Sequence, residues 1–174
     1  MKIITTPMCE NLLKMAGLTS YKVVKPDAIE DADIAILLSE TESEVPKISV
    51  KLNTYSQVYD SIMKIHEKFD TQINCDDLEE IKRLIQENSD KRTYRRMINV
   101  KVYSNFLKET IEDMGFNICS EDYDYVVCPD YLEDNVPEKD ALIIVPSHGN
   151  VSAGIMERIN ERYGLLEREL CMKQ

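Results

Sequence analysis

Cys9 stands where the apolar run Ile3-Ile4 gives way, through Thr5, Thr6 and Pro7, to a segment patterned as a helix. A thiol in the first turn of a helix faces unpaired backbone N–H groups and the positive end of the helix dipole. Both shift it from its free pKa of about 8.5 toward thiolate. That makes a nucleophile, and it predicts that Cys9 reacts with small alkylating agents ahead of Cys75, Cys119, Cys128 and Cys171. The same position also reads as packing, because a free cysteine behaves as a small apolar residue and fills space under a helix end. Thr5 and Thr6 divide in the same way, between capping the helix and bonding a ligand, with Pro7 or Met8 as the helix start.

A second polar stretch, Pro146-Ser147-His148-Gly149-Asn150, follows the most apolar run of the chain, ALIIV, and precedes a helix predicted from about Val151 to Arg162. Ser147 and Asn150 offer polar side chains, Gly149 permits close backbone approach, and a helix start favours phosphate. Asn53 falls in the corresponding turn of an earlier strand and helix and joins the same candidate set. The alternative is a plain strand-to-helix turn with a Ser or Asn cap, since the stretch matches neither the Walker pattern nor G-x-G-x-x-G. His148 pairs with Cys9 as the residue types of a cysteine hydrolase or deamidase, without an acidic partner at a motif spacing. Lys91, Arg92, Arg95 and Arg96 form a basic cluster, suited to a phosphate or to a solvated surface. The acidic runs around Glu40–Glu44 and Glu133–Glu138 lack metal-ligand spacing and read as loops, so no metal site is expected.

The remaining composition limits the options. Thirty-two acidic residues against 21 basic ones give a net charge of -11 over 174 residues, which argues against binding to a nucleic-acid backbone. No apolar run approaches the roughly 18 residues of a membrane span, and the N-terminal run is too short for a secretory signal, so a cytoplasmic protein is expected. Five cysteines, an odd number with no C-x-x-C pair, suit reduced thiols rather than a disulfide framework or a four-ligand zinc site.

The elements that must position these residues follow from periodicity. KIITT, YKVVK, ADIAILLS and KISVKL read as strands. Val58, Ile62, Ile65 and Phe69 mark the apolar face of a helix over 54–69, and a further helix opens at Asp76-Asp77 and runs to about residue 90. The second half reads as a diverged copy of the first. VYSNFLKETIEDMGF follows ITTPMCENLLKMAGL at an offset of 98, with Val102 on Ile4. DYVVCPD parallels DIAILLS. IIVPSHGNVSAGIMERI parallels VKLNTYSQVYDSIMKIH at an offset of 93. The expectation is a single α/β domain over 1–174, a Rossmann-like three-layer sheet with an internal duplication of a β-α-β-β-β-α unit. The half-repeats are about 1–70 and 98–164, joined by a helix of about 76–90. A ligand crevice is expected at the carboxyl ends of the strands where the halves meet. The run LLEREL at 165–170 is amphipathic, and a homodimer packed through it is expected.

The opening stretch MKIITTPMCE, with its cysteine at position 9 after Thr-Thr-Pro-Met, resembles the HcgF family, which helps build the iron-guanylylpyridinol (FeGP) cofactor of methanogen [Fe]-hydrogenase. The resemblance implies that Cys9 holds guanylylpyridinol through a thioester to its pyridinol carboxyl group, as precursor of the acyl-iron ligand. It also implies a partner enzyme that first activates the carboxylate as an adenylate, and no permanently bound cofactor. Thr5, Thr6, Pro7, Met8, Asn53, Ser147, His148, Gly149 and Asn150 are the expected ligand-binding residues. A non-covalent nucleotide-binding or regulatory module is the alternative to a covalent carrier.

Overall fold

The computed structural model describes residues 1–137, 140–147 and 154–171. The elements in chain order are β1 (Ile3–Thr5), α1 (Pro7–Met15), β2 (Lys22–Val23), β3 (Ile34–Leu38), β4 (Lys47–Val50) and α2 (Tyr55–Phe69). Then come α3 (Cys75–Asp90), α4 (Arg92–Arg95), β5 (Asn99–Val102), α5 (Asn105–Met114), β6 (Asn117–Ile118), β7 (Tyr125–Pro129), β8 (Leu142–Val145) and α6 (Ile155–Cys171). Where the sequence suggests one domain, the chain divides into two compact units, Met1–Arg83 and Leu84–Gln174, with the division inside α3. Each unit holds its own four-stranded parallel sheet, in the order β2-β1-β3-β4 and β6-β5-β7-β8. The class is therefore α/β and Rossmann-like, with the β-α-β-β-β-α succession present twice.

In the first unit β1 is central. Ile4 pairs with Lys22 on one side and Ala35 on the other, and β3 continues to β4 through Ile36↔Ile48 and Leu38↔Val50. A parallel strand needs a crossover, and α1 supplies the first. Leu12, Leu13 and Ala16 of the α1 segment are fully buried, and the helix packs against α2. The opposite face of the sheet, Ile4, Ala35 and Leu37, is covered by Val24, Ile29, Ala32 and Val45 from the connecting segments rather than by a helical layer. Gly17 ends α1 at φ +71°, with Leu18 N–H donating to Leu13 and Gly17 N–H to Lys14, a Schellman pair that closes the last carbonyls.

The second unit repeats this ending. Gly115 adopts φ +88°, Phe116 donates to Ile111, and Gly115 donates to Glu112. The offset of 98 thus holds for the helices, which begin after Thr6 and Ser104. The strands obey other offsets. Because Thr5 pairs with Ile36 and Val102 with Val127, Val102 corresponds to Thr5 and not to Ile4, and Tyr103 is an extra residue before the helix. By the same logic Val50 corresponds to Val145, two residues from the alignment that the sequence suggests. Apolar strand residues at alternate positions look alike, so only the pairing register separates these choices.

The basic cluster of the sequence is not a single surface. Arg95 is 3% exposed and lies at the centre of the second unit's helices. Its guanidinium pairs with Glu167 of α6 at 2.6 Å, and donates to Asn88 Oδ1 of α3 at 2.6 Å and to the Met114 carbonyl that ends α5 at 3.0 Å. Its carbon also stands 5.7 Å from the centroid of the Phe116 ring. Asn88 in turn donates to the Asp113 carboxylate, which accepts from the Tyr163 hydroxyl, and Tyr94 donates to Glu167. Arg92 packs over Gly115, whereas Arg96 is exposed. Burial is the reason that Arg95 cannot serve a ligand: a desolvated guanidinium must be paired inside the fold.

The last helix differs from expectation as well. The predicted start at Val151 lies outside the described residues, and α6 runs on through LLEREL to Cys171. Ile155, Ile159, Tyr163, Leu166 and Leu170 form its buried stripe, so Leu166 and Leu170 of LLEREL pack within the chain itself while Leu165 stays half-buried.

Arg95→Met should lower unfolding stability by about 3–5 kcal/mol, because Glu167, Asn88 and the Met114 carbonyl lose their common partner together. Arg96→Met should stay within about 0.5 kcal/mol of the parent chain. Urea midpoints of the two variants provide the comparison.

Candidate functional site

In a parallel sheet every strand ends on the same edge, and that edge gathers the residues singled out at the N-terminus. Thr6 is the N-cap residue of α1, Pro7 opens the helix, and Cys9 is its third residue. Pro7 and Met8 are exposed, with Met8 at 38%, while Cys9 directly beyond them is fully buried. Thr5 is also fully buried and donates its hydroxyl to the Ile36 carbonyl at 2.8 Å.

The two repeats treat the helix start differently. In α5 the Ser104 hydroxyl caps the helix by accepting from Leu107 N–H. In α1 the Thr6 hydroxyl makes no cap bond. The Cys9 N–H bonds instead to the Thr6 carbonyl at 3.0 Å, and the Thr6 hydroxyl is among the polar groups that act on the Cys9 thiol. Leu107, the counterpart of Cys9, is likewise fully buried. The position is therefore a core position in both repeats, and in the first repeat it carries a sulfur.

Burial reverses the expected electrostatics. It pushes the Cys9 thiol up to about 11. Hydrogen bonds to Thr6, to the Leu38 backbone and to Thr5 oppose the shift, and the Glu40 carboxylate adds to it. The helix start alone would favour thiolate, but a dipole contributes about 0.3–2 kcal/mol. A rise of two pKa units corresponds to roughly 3 kcal/mol in the other direction. The thiolate predicted from position is therefore corrected to a protonated, covered thiol.

The other candidates are placed as follows. Asn53 precedes α2, where Thr54 accepts from Gln57 N–H and the Gln57 side chain accepts from Asn53 N–H at 3.0 Å, a variant of the capping box. Ser147 lies in the second unit just past β8 and donates its hydroxyl to Asp130 at 2.5 Å, and its N–H to the same carboxylate at 3.1 Å. His148, Gly149 and Asn150 lie outside the described residues. Thr5, Thr6, Pro7, Met8 and Cys9 thus share one strand edge with Asn53, while Ser147 belongs to the other sheet.

Residues missed in the sequence complete this edge. Glu40 and the Leu38 backbone reach Cys9 from the end of β3, where the sequence shows only an acidic loop. Asp130 was within reach, since the parallel of DYVVCPD with DIAILLS sets it on Ser39 at a strand end. A cavity of about 330 Å3 opens beside β4 and α2, lined by Ser39, Ser49, Lys51, Gln57, Asp60, Ser61 and Lys64. Among the described residues no group of three or more His, Cys, Asp or Glu side chains is arranged to hold a metal ion. Nor is any helix among them long and apolar enough to cross a membrane.

Two measurements test the covered thiol. In the native chain, alkylation followed by peptide mapping should label exposed Cys75 first, with buried Cys9 and Cys128 last. The folded pKa lies above the unfolded one, so the folded state keeps a proton that the unfolded chain loses between about pH 9 and pH 11, and stability falls as pH rises through that window. Urea midpoints of the parent chain should therefore decline more steeply there than those of Cys9→Ala, with the two curves parallel below about pH 8.

Comparison with known proteins adds the fold and one family match. No curated protein matches the chain in sequence. Among solved structures, the chain is similar to a Zn(II)-bound mutant variant of AdcAII of Streptococcus pneumoniae, with TM-score 0.62 and 13% identity over 98% of this chain and 99% of that one. It is also similar to Lmb of Streptococcus agalactiae, described as having adhesin and metal transporting activity, with TM-score 0.63 and 12% identity over 98% and 99%. A third is FpvC of P. aeruginosa in complex with Ni2+, with TM-score 0.63 and 12% identity over 100% and 98%. At such identities the likeness is one of fold. In sequence, residues 98–170, from the residue before β5 to the penultimate residue of α6, match the MJ0786 family C-terminal domain.

Proposed function

We propose that the chain acts in building the iron-guanylylpyridinol cofactor of [Fe]-hydrogenase, binding guanylylpyridinol and holding its carboxyl group as a thioester on Cys9. The observation that carries this reading is the position of Cys9, buried in the first turn of α1 just past the carboxyl end of β1, next to buried Thr5 and Thr6. Parallel α/β sheets take their ligands at that edge. The opening MKIITTPMCE adds the family resemblance. The step balances when a partner enzyme supplies the acyl adenylate: the thiol sulfur bonds to the acyl carbon, the bond to AMP breaks, and the thiol proton leaves to solvent with AMP as the other product.

Burial has a definite consequence for this reaction. At pH 7 a thiol titrating near 11 is thiolate in roughly one molecule in ten thousand, so the resting chain is a poor nucleophile and acylation requires the ligand to uncover or deprotonate Cys9. The same cover suits the product, because a thioester kept from water hydrolyses slowly.

A second reading is favoured by the full burial of Cys9 and by Leu107 at the equivalent position. On this reading the chain is a nucleotide-binding or regulatory module, and Cys9 is a packing residue.

Intact-protein mass separates the two. With guanylylpyridinol, ATP and an adenylating partner, the parent chain should gain the mass of guanylylpyridinol less one water, Cys9→Ala should gain nothing, and hydroxylamine should remove the adduct. An adduct that survives Cys9→Ala or resists hydroxylamine would overturn the thioester. Unmodified protein that binds guanylylpyridinol equally well as Cys9→Ala would leave the non-covalent module.

A further inference from the structure

The second unit holds a cavity of about 430 Å3 between the carboxyl end of β8, at Val145 and Pro146, and the part of α6 that carries Arg158, Arg162 and Arg168. Its volume falls in the range of about 300–1,000 Å3 usual for small-molecule sites. In a chain of net charge -11, three guanidinium groups line this space with one carboxylate, Glu161. That balance is opposite to the rest of the molecule.

The arginines differ in how they are held. The Arg162 guanidinium carbon stands 5.0 Å from the centroid of the Phe106 ring of α5, which fixes the side chain before any ligand arrives. Burial holds Arg162 below the ordinary arginine range, and the charge of Arg158, one helical turn away, pushes the same way. Like charges at that spacing oppose each other. Arg168 is more exposed, pairs with Glu169 at 3.2 Å, and sits at the rim. Gly164 leaves the helix face open, since a Cβ there would meet nothing within 4 Å. The corresponding strand and helix of the first unit, β4 and α2, also frame a cavity, lined there by Lys51, Asp60 and Lys64. Both repeats therefore open a space beside the last strand and helix of their unit, at different turns of the helix, and the second concentrates arginine in it.

We propose that the cavity between β8 and α6 is a binding site for a small phosphate-bearing anion, with Arg158 and Arg162 gripping the phosphate and Arg168 closing the rim. Guanidinium forks match phosphate oxygens in pairs, and more than one arginine favours a dianion over a single carboxylate. The observations behind it involve residues of the second unit only and do not draw on Cys9, a residue of the first.

The test is calorimetry on the full chain with three probes: inorganic phosphate, GMP and guanosine. GMP or phosphate should bind, with affinity falling as salt rises, and guanosine should bind at least tenfold more weakly than GMP. Arg158→Gln and Arg162→Lys should each weaken GMP or phosphate binding at least tenfold while urea midpoints confirm that they remain folded. Gly164→Leu, whose side chain grows into the open space, should block binding without touching a charge. The site is overturned if neither GMP nor phosphate binds, if guanosine binds as tightly as GMP, or if the folded arginine variants bind like the parent chain.

Discussion

Parallel pairing is the constraint on which both units rest. A strand joined to a parallel neighbour cannot return by a tight turn, so each of β1 and β5 must be followed by a crossover, and α1 and α5 provide it. Once that is set, all strand ends fall on one edge, the helices start there, and their far ends need closing. Thr6 and Ser104 mark the starts, and Gly17 and Gly115 mark the ends with the same left-handed turn. The edge where Cys9 lies is thus produced by strand direction rather than by any property of the cysteine.

At Cys9 two effects compete, and their sizes decide the outcome. The helix start favours thiolate and burial favours thiol, and burial is the larger of the two. The Thr6 hydroxyl, which makes no helix-cap bond, recovers part of that cost. A thiol in this state is chemically quiet. Any covalent role for it depends on a ligand that changes its surroundings, which makes reactivity conditional on binding.

Arginine is used in two ways in the second unit, and position separates them. Arg95 is enclosed and joined to Glu167, Asn88 and the Met114 carbonyl, so it holds helices α3 to α6 to one another. Arg158, Arg162 and Arg168 instead line an open space beside the end of β8. The first arrangement spends the charge on the fold. The second keeps charge where a ligand can meet it.

Much of this architecture was legible in the sequence by itself. The strand at 3–5, the amphipathic stripe Val58, Ile62, Ile65, the helix opening near Asp76, and the duplicated strand-helix-glycine pattern all follow from period and turn chemistry, which are local. So is the position of Cys9 in the first turn of α1. The tertiary structure decided what depends on neighbours distant in sequence. It set Val102 on Thr5 rather than on Ile4, because register is a pairing between strands. It made Arg95 an internal tie while Arg96 stayed outside, because adjacent helical residues face different surroundings. It also covered the Cys9 thiol, because desolvation is set by everything packed around the sulfur, from Thr5 to the end of β3, and no spacing within residues 1–17 records it.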